Sequence, residues 1–173
     1  MKNKENNMFN QFLEQAHDIG GVFTSCAIND SKLKTLKDSL SSLKTDLPDE
    51  YIDFLSTTDG MYWGGLEFFG SSIISDKKTG SNITDLYSQN RIFQALNPDS
   101  EKVALGRTDE ENYLYNPSTK TYEIVDEFSG ETIKTFKHFS ELFQYLLKEQ
   151  VEIIQNYVGF NEDEIVDESS SDF

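Results

Sequence analysis

Apolar residues recur at helical spacing along the first third of the chain and alternate with polar ones along the last third, which predicts helices first and antiparallel strands later. Phe9, Phe12, Leu13 and Ala16 share one face, so an amphipathic helix is expected over residues 8–19, stopped by Gly20 and Gly21. Val22 to Ser25 suits a short strand. Asp30 is placed to cap a second helix, in which Leu33, Leu36, Leu40 and Leu43 form a stripe while Lys32, Lys34, Lys37 and Asp38 face outwards.

The most informative stretch runs from Leu47 to Gly70. Pro48 fits the first turn of a third helix, where its missing N–H costs nothing, and Asp49 and Glu50 put negative charge at the positive end of the helix dipole. Tyr51, Phe54 and Leu55 share one face and are expected to seat this helix on a core. Gly60 is expected to end it in a left-handed conformation. Met61, Tyr62 and Trp63, then Leu66, Phe68 and Phe69, flank Gly64 and Gly65, a pattern that suits an aromatic strand broken by a bulge or bend.

Residues 71–81 read as an exposed polar loop, and residues 85–96 as a less regular helix stopped at Asn97-Pro98-Asp99. Val103, Ala104 and Leu105 with Gly106 look like a buried strand. Tyr113 to Tyr115, Tyr122 to Val125 and Thr132 to Phe136, separated by turn residues, predict an antiparallel meander. A last helix starts near Ser140, with Leu142, Phe143, Leu146 and Leu147 inward. The fold class is therefore α+β: a mainly antiparallel sheet with a C-terminal meander, flanked by N-terminal helices and a C-terminal helix. Residues 1–159 are expected to form a single domain, and residues 160–173, rich in Asp, Glu and Ser, an acidic and flexible tail.

Composition narrows the functions. With 31 acidic against 15 basic residues the net charge is -16, which argues against nucleic acid or an anionic membrane as a direct partner and suits a basic protein or solubility alone. No run of apolar residues follows the positively charged first residues, and none approaches the roughly 20 residues of a membrane span. Cys26 is the single cysteine, which excludes an intrachain disulfide and fits a reducing cytoplasm, the expected location.

The residues offer little to catalysis. The two histidines, His17 and His138, stand at a helix end and ahead of a helix, and nothing in the spacing brings either to Cys26. No zinc, calcium or phosphate-loop motif is present, so neither metal nor cofactor is expected, and the chain reads as a non-enzyme.

A binding surface remains. Asp109, Glu110 and Glu111 precede the meander, Asp126 and Glu127 follow its middle strand, and Asp59 and Glu67 border the aromatic strand. Gathered on one side, they would steer a cationic protein, with Tyr62, Trp63, Tyr113 and Tyr115 as aromatic anchors. The same aromatic residues equally suit core or sheet packing.

The order Leu47-Pro48, an acidic pair, Tyr51, Phe54-Leu55 and Asp59-Gly60 resembles the signature of the SUKH superfamily, small α+β domains that include a yeast cell-wall-synthesis regulator and many bacterial immunity proteins. Phe136 to Leu147 is similar to that family's closing helix, and Val103 to Asp109 followed by Tyr113-Leu114-Tyr115 to its central strand and loop. Glu111-Asn112 stands where the family often has Gly-Asp. The likeness covers roughly residues 30–147 and is nearest a YrhA-like bacterial branch. It implies a non-catalytic immunity protein that binds and neutralises a cognate secreted toxin, a nuclease or other toxin acting on nucleic acid, through an acidic surface. An intracellular regulatory or scaffold module without a toxin partner is the alternative that the yeast relatives imply.

Overall fold

The alternating segments assemble into a sheet whose two faces are covered differently. The computed structural model describes residues 2–163, and side chains within residues 8–157. Helix α1 (Lys2–Ile19) leads into β1 (Val22–Thr24), α2 (Asp30–Ser41) and α3 (Asp49–Leu55). Then come β2 (Met61–Trp63), β3 (Leu66–Phe68), a small pair β4 (Ile74–Ser75) and β5 (Asn82–Ile83), and α4 (Leu86–Leu96). The meander follows as β6 (Val103–Arg107), β7 (Glu111–Asn116), β8 (Thr121–Asp126) and β9 (Thr132–Phe136), before α5 (Phe139–Asp163). The main sheet has the order β1-β2-β3-β6-β7-β8-β9 with antiparallel neighbours. The expected α+β architecture is thus observed. Residues 164–173, most of the tail expected from the sequence, lie outside the described residues.

Register explains the two faces. Phe68, Gly106, Tyr113 and Ile124 lie side by side across four strands, and their face meets α1, α3 and α5. The core there is aromatic: Phe9, Phe54, Phe68, Phe139 and Phe143 pack ring to ring at centroid separations of 5.4 to 5.9 Å. Edge-to-face and tilted pairs of this kind add specificity to the burial of their large apolar area. On the opposite face Glu67, Arg107, Asn112 and Val125 form the matching row. Only part of that face is roofed. Helix α4 sits on β6, with the Asn90 amide donating to Ala104 O and its oxygen accepting from Ala104 N, while the β4–β5 pair approaches β2.

The signature residues act as fasteners between elements. Tyr51, fully buried on α3, places its hydroxyl 2.7 Å from Phe69 O and 2.9 Å from Leu105 O, so one donor serves a carbonyl just past the end of β3 and another within β6. Burial first, then the charges of Asp59 and Glu67, push its ionisation well above the ordinary tyrosine range, keeping the proton that donates. Glu50 caps a different helix from the one it begins: its carboxylate accepts from Phe139 N at 2.6 Å and lies 3.0 Å from His138 Nδ1, tying α3 to the start of α5. The signature and the closing helix are therefore one structural unit.

Several local expectations are corrected. The third helix ends at Leu55, capped by Ser56, and Gly60 instead takes its positive φ of 89° at the entry to β2, where an added Cβ would lie 2.4 Å from Ile83 Cγ2. Pro48 is the N-cap of α3, one position ahead of its first turn, and Asn29 rather than Asp30 caps α2. Gly64 and Gly65, with φ of 55° and 95°, make the two-residue turn of a β2–β3 hairpin, for which positive φ at both central positions matches the strand twist. The stretch expected to be loop carries β4, which pairs with β5 just beyond it.

Candidate functional site

Two turns meet at one end of the sheet. The β6–β7 turn brings Asp109 and Glu110, and the β8–β9 turn brings Glu127; they are joined by Glu127 N donating to Glu110 O at 2.8 Å. Glu111 and Asp126 are direct cross-strand partners, an arrangement of like charges that ordinarily destabilises a sheet. Asp109, Glu110, Glu111, Asp126 and Glu127 therefore come together, whereas Asp59 and Glu67, grouped with them from the sequence, do not join them.

Each acid has a distinct environment. Asp126 Oδ1 accepts from Ser129 N at 2.7 Å and Phe128 N at 3.0 Å, and these bonds, Ser129 foremost, hold its carboxyl below the ordinary range. Glu127 accepts from the Asn112 side-chain amide. Glu111 is shifted the other way: burial first, then the charge of Glu149 on α5, with smaller contributions from Glu110 and Asp126, raise its carboxyl, against a hydrogen bond from the Tyr113 hydroxyl. Glu149 also accepts from Tyr145, whose hydroxyl is pushed up to about 12 by that bond, then by burial and by the charges of Glu149, Glu111 and Glu152. The acidic end thus includes Glu149 and Glu152, which sequence reasoning missed. Their signal was weak, because two glutamates three positions apart on a helix look like any solvated face.

Among the described residues the ion pairs are Lys102 with Glu123 at 2.7 Å, Arg107 with Glu67 at 3.4 Å and His138 with Glu50 at 3.0 Å. None involves the five clustered acids. Glu123 lies beneath the surface: burial opposes its ionisation, yet hydrogen bonds from Lys102 and Asn116 outweigh that and hold its carboxyl below the usual range.

The remaining expected contact residues are corrected. Trp63 is 1% exposed, packed near α1 and α5, with its indole N–H donating to Gly20 O at 2.9 Å. Asp59 is buried and both its oxygens accept from Ser71, at 2.6 Å from the amide and 2.5 Å from the hydroxyl. Glu67 is buried as well, one oxygen accepting from Thr84 N and Oγ1, each at 2.6 Å, the other facing Arg107 Nε. These carboxylates brace the fold, linking the exit of α3 and the end of β5 to the sheet. Tyr113 is core, Tyr115 half-buried, and Tyr62 is half-buried on β2, several strands away from the acidic end.

Among the described residues no group of three or more His, Cys, Asp and Glu could hold a metal ion, and no helix is long and apolar enough to cross a membrane. His17 Nε2 lies 3.3 Å from Thr24 Oγ1 and His138 is engaged with Glu50.

The pattern of the SMI1 / KNR4 family (SUKH-1) matches residues 32–145, more than half of the chain. The chain belongs to this family. No curated protein matches the sequence. The SUKH-1 match takes in the signature, β6 to β9 and the first turns of α5, and so spans both acidic turns. Helix α1 and the outer turns of α5 lie outside it, although Phe9, Leu13 and Ala16 of α1 belong to the same core. SUKH-1 proteins are generally non-catalytic, and the family holds immunity proteins as well as regulators.

The raised carboxyl of Glu111 gives a pH-dependent expectation. A glutamate whose folded pKa lies above its unfolded one withdraws stability as pH rises through that value. Glu111→Gln should therefore raise Tm at about pH 7 and leave it nearly unchanged at about pH 4, where the carboxyl is already protonated in the folded protein. Thermal melts at the two pH values check it, and a Tm lowered at neutral pH would show that Glu111 is not under like-charge stress.

Proposed function

We propose that this chain is a non-catalytic immunity protein that binds and neutralises a cognate secreted toxin acting on nucleic acid, using the acidic end of its sheet. The observation that supports this reading is the gathering of Asp109, Glu110, Glu111, Asp126 and Glu127 with no ion-pair partner for any of them among the described residues. Like charges held together resist folding, so a protein that keeps them gains something in binding. Toxins that act on nucleic acid present basic clefts, and carboxylates spaced along two turns meet such a cleft as phosphates would. Membership of a family that includes immunity proteins points the same way. The intended setting is the cytoplasm of the producing cell.

Co-expression with the product of the adjacent gene, with growth rescue and pull-down as readouts, tests the partner. Calorimetry at two ionic strengths tests the means: the affinity should fall as salt rises, and Asp109→Lys with Glu127→Lys should weaken it by about tenfold or more. Affinity insensitive to both would reject the acidic end as the contact. The second reading, a regulatory or scaffold module without a toxin, rests on the regulators in the same family; growth rescue by the chain would exclude it.

A further inference from the structure

The half-roofed face of the sheet leaves a groove of about 510 Å³ beside the acidic end. One wall is α4, presenting Ile92, Phe93 and Leu96; Leu114 and Val125 lie almost wholly buried beneath; Asp109, Asp126 and Glu127 close one end, and Gln89, Asn97, Thr108 and Asn112 add polar lining. Ile92 is 50% exposed and Leu96 75%, although both are large aliphatic side chains on a helix whose other face is well packed. The adjoining turn carries Phe128, 84% exposed. Large exposed aliphatic and aromatic side chains gathered beside unpaired carboxylates are not what solubility asks of a surface.

Charge decides the occupant. The groove also holds two cations, Lys102 and Arg107, 30% and 46% exposed, each paired with a carboxylate buried in the sheet, Glu123 and Glu67, so the two pairs add no net charge to it. What distinguishes the groove for an incoming ligand is therefore the exposed Ile92 and Leu96 together with the net charge of Asp109, Asp126 and Glu127, the second held ionised by its turn amides. We infer that this groove takes a cationic segment of a partner protein that carries a large aliphatic side chain, seated against Ile92 and Leu96 of α4 while its lysines or arginines meet the acidic end. The inference rests on the protein-binding reading above and adds that recognition is apolar along α4 and ionic at the acidic end, so that both kinds of contact contribute.

The test needs no toxin, so its failure is separable from failure of that reading. Fluorescence polarisation with the full chain, in about 150 mM salt, compares a labelled peptide repeating Lys-Ser-Lys-Leu with one repeating Lys-Ser-Lys-Ser. The leucine peptide should bind about tenfold more tightly, the expected effect of burying one aliphatic side chain. Ile92→Gln with Leu96→Gln, both exposed and in a residue that suits helices, should abolish that preference; Ile153→Gln with Tyr157→Gln, exposed on α5 away from the groove, should keep it. Asp109→Asn with Glu127→Gln should weaken both peptides. Equal binding of the two peptides, or a leucine preference that survives in the Ile92 and Leu96 variant with an unchanged melt, would overturn the groove while leaving the co-expression result to stand by itself.

Discussion

Replacing Phe54 by alanine is expected to lower the free energy of unfolding by about 3–5 kcal/mol. Phe54 is fully buried, and its ring lies 5.3 to 5.8 Å from those of Phe9, Tyr51, Phe68, Phe139 and Phe143. The walls of the resulting cavity come from α1, α3, β3 and α5, separate elements each fixed by other contacts, so they cannot close in together. That places the substitution toward the costly end of its class. For a marginally stable domain such a loss is a large part of the whole. Urea unfolding monitored by circular dichroism checks it, and a change below about 1 kcal/mol would mean that α3 is not the centre of the core.

Gly106→Ala is the second large effect, and its cause is backbone rather than side chain. In the middle of the sheet, where the β6–β7 register shifts between Ala104 and Gly106, an added Cβ would stand 2.3 Å from Glu67 O and 2.9 Å from Phe68 Cδ1. The first atom belongs to the main chain of β3 and cannot rotate away, so β3 and β6 must separate at their shared register point, Phe68 opposite Gly106. The expected loss is about 3 kcal/mol, at the upper end of overpacking penalties. Because Glu67 and Tyr51 both fasten elements at this seam, lost β3–β6 pairing should also show as faster amide exchange at Phe69 and Arg107. Unaltered stability and exchange would show that the sheet relaxes freely there.

Both predictions fall on residues already prominent in the sequence, Phe54 in the signature and Gly106 in the central strand, but they were legible to different degrees. Tyr51, Phe54 and Leu55 announced their burial by helical spacing, since one face of a short helix has to meet something apolar. Gly106 marked a buried strand but not the close approach of two backbones, which is a property of the assembled sheet. The same divide runs through the candidate site. Asp109, Glu110 and Glu111 could be read as one run, and Asp126 and Glu127 as another, each next to a turn. Asp59 and Glu67 looked alike in the sequence and proved to be buried braces, because alternation over strands of three residues gives no hint of a roof over the second face. Trp63 was ambiguous between anchor and core until α1 and the Gly20 carbonyl closed over it.

The sequence alone determined the family, the helix and meander order, the aromatic character of the core and the excess of negative charge, because spacing, turn residues and composition are local properties that survive without a fold. Tertiary structure alone decided which carboxylates face outwards. Register put Glu111 opposite Asp126 and sank Glu67 and Glu123 beneath paired cations, while the placement of α4 over β6 left a trough beside the acids. Those outcomes depend on residues distant in the chain meeting across strands, which no window of sequence contains.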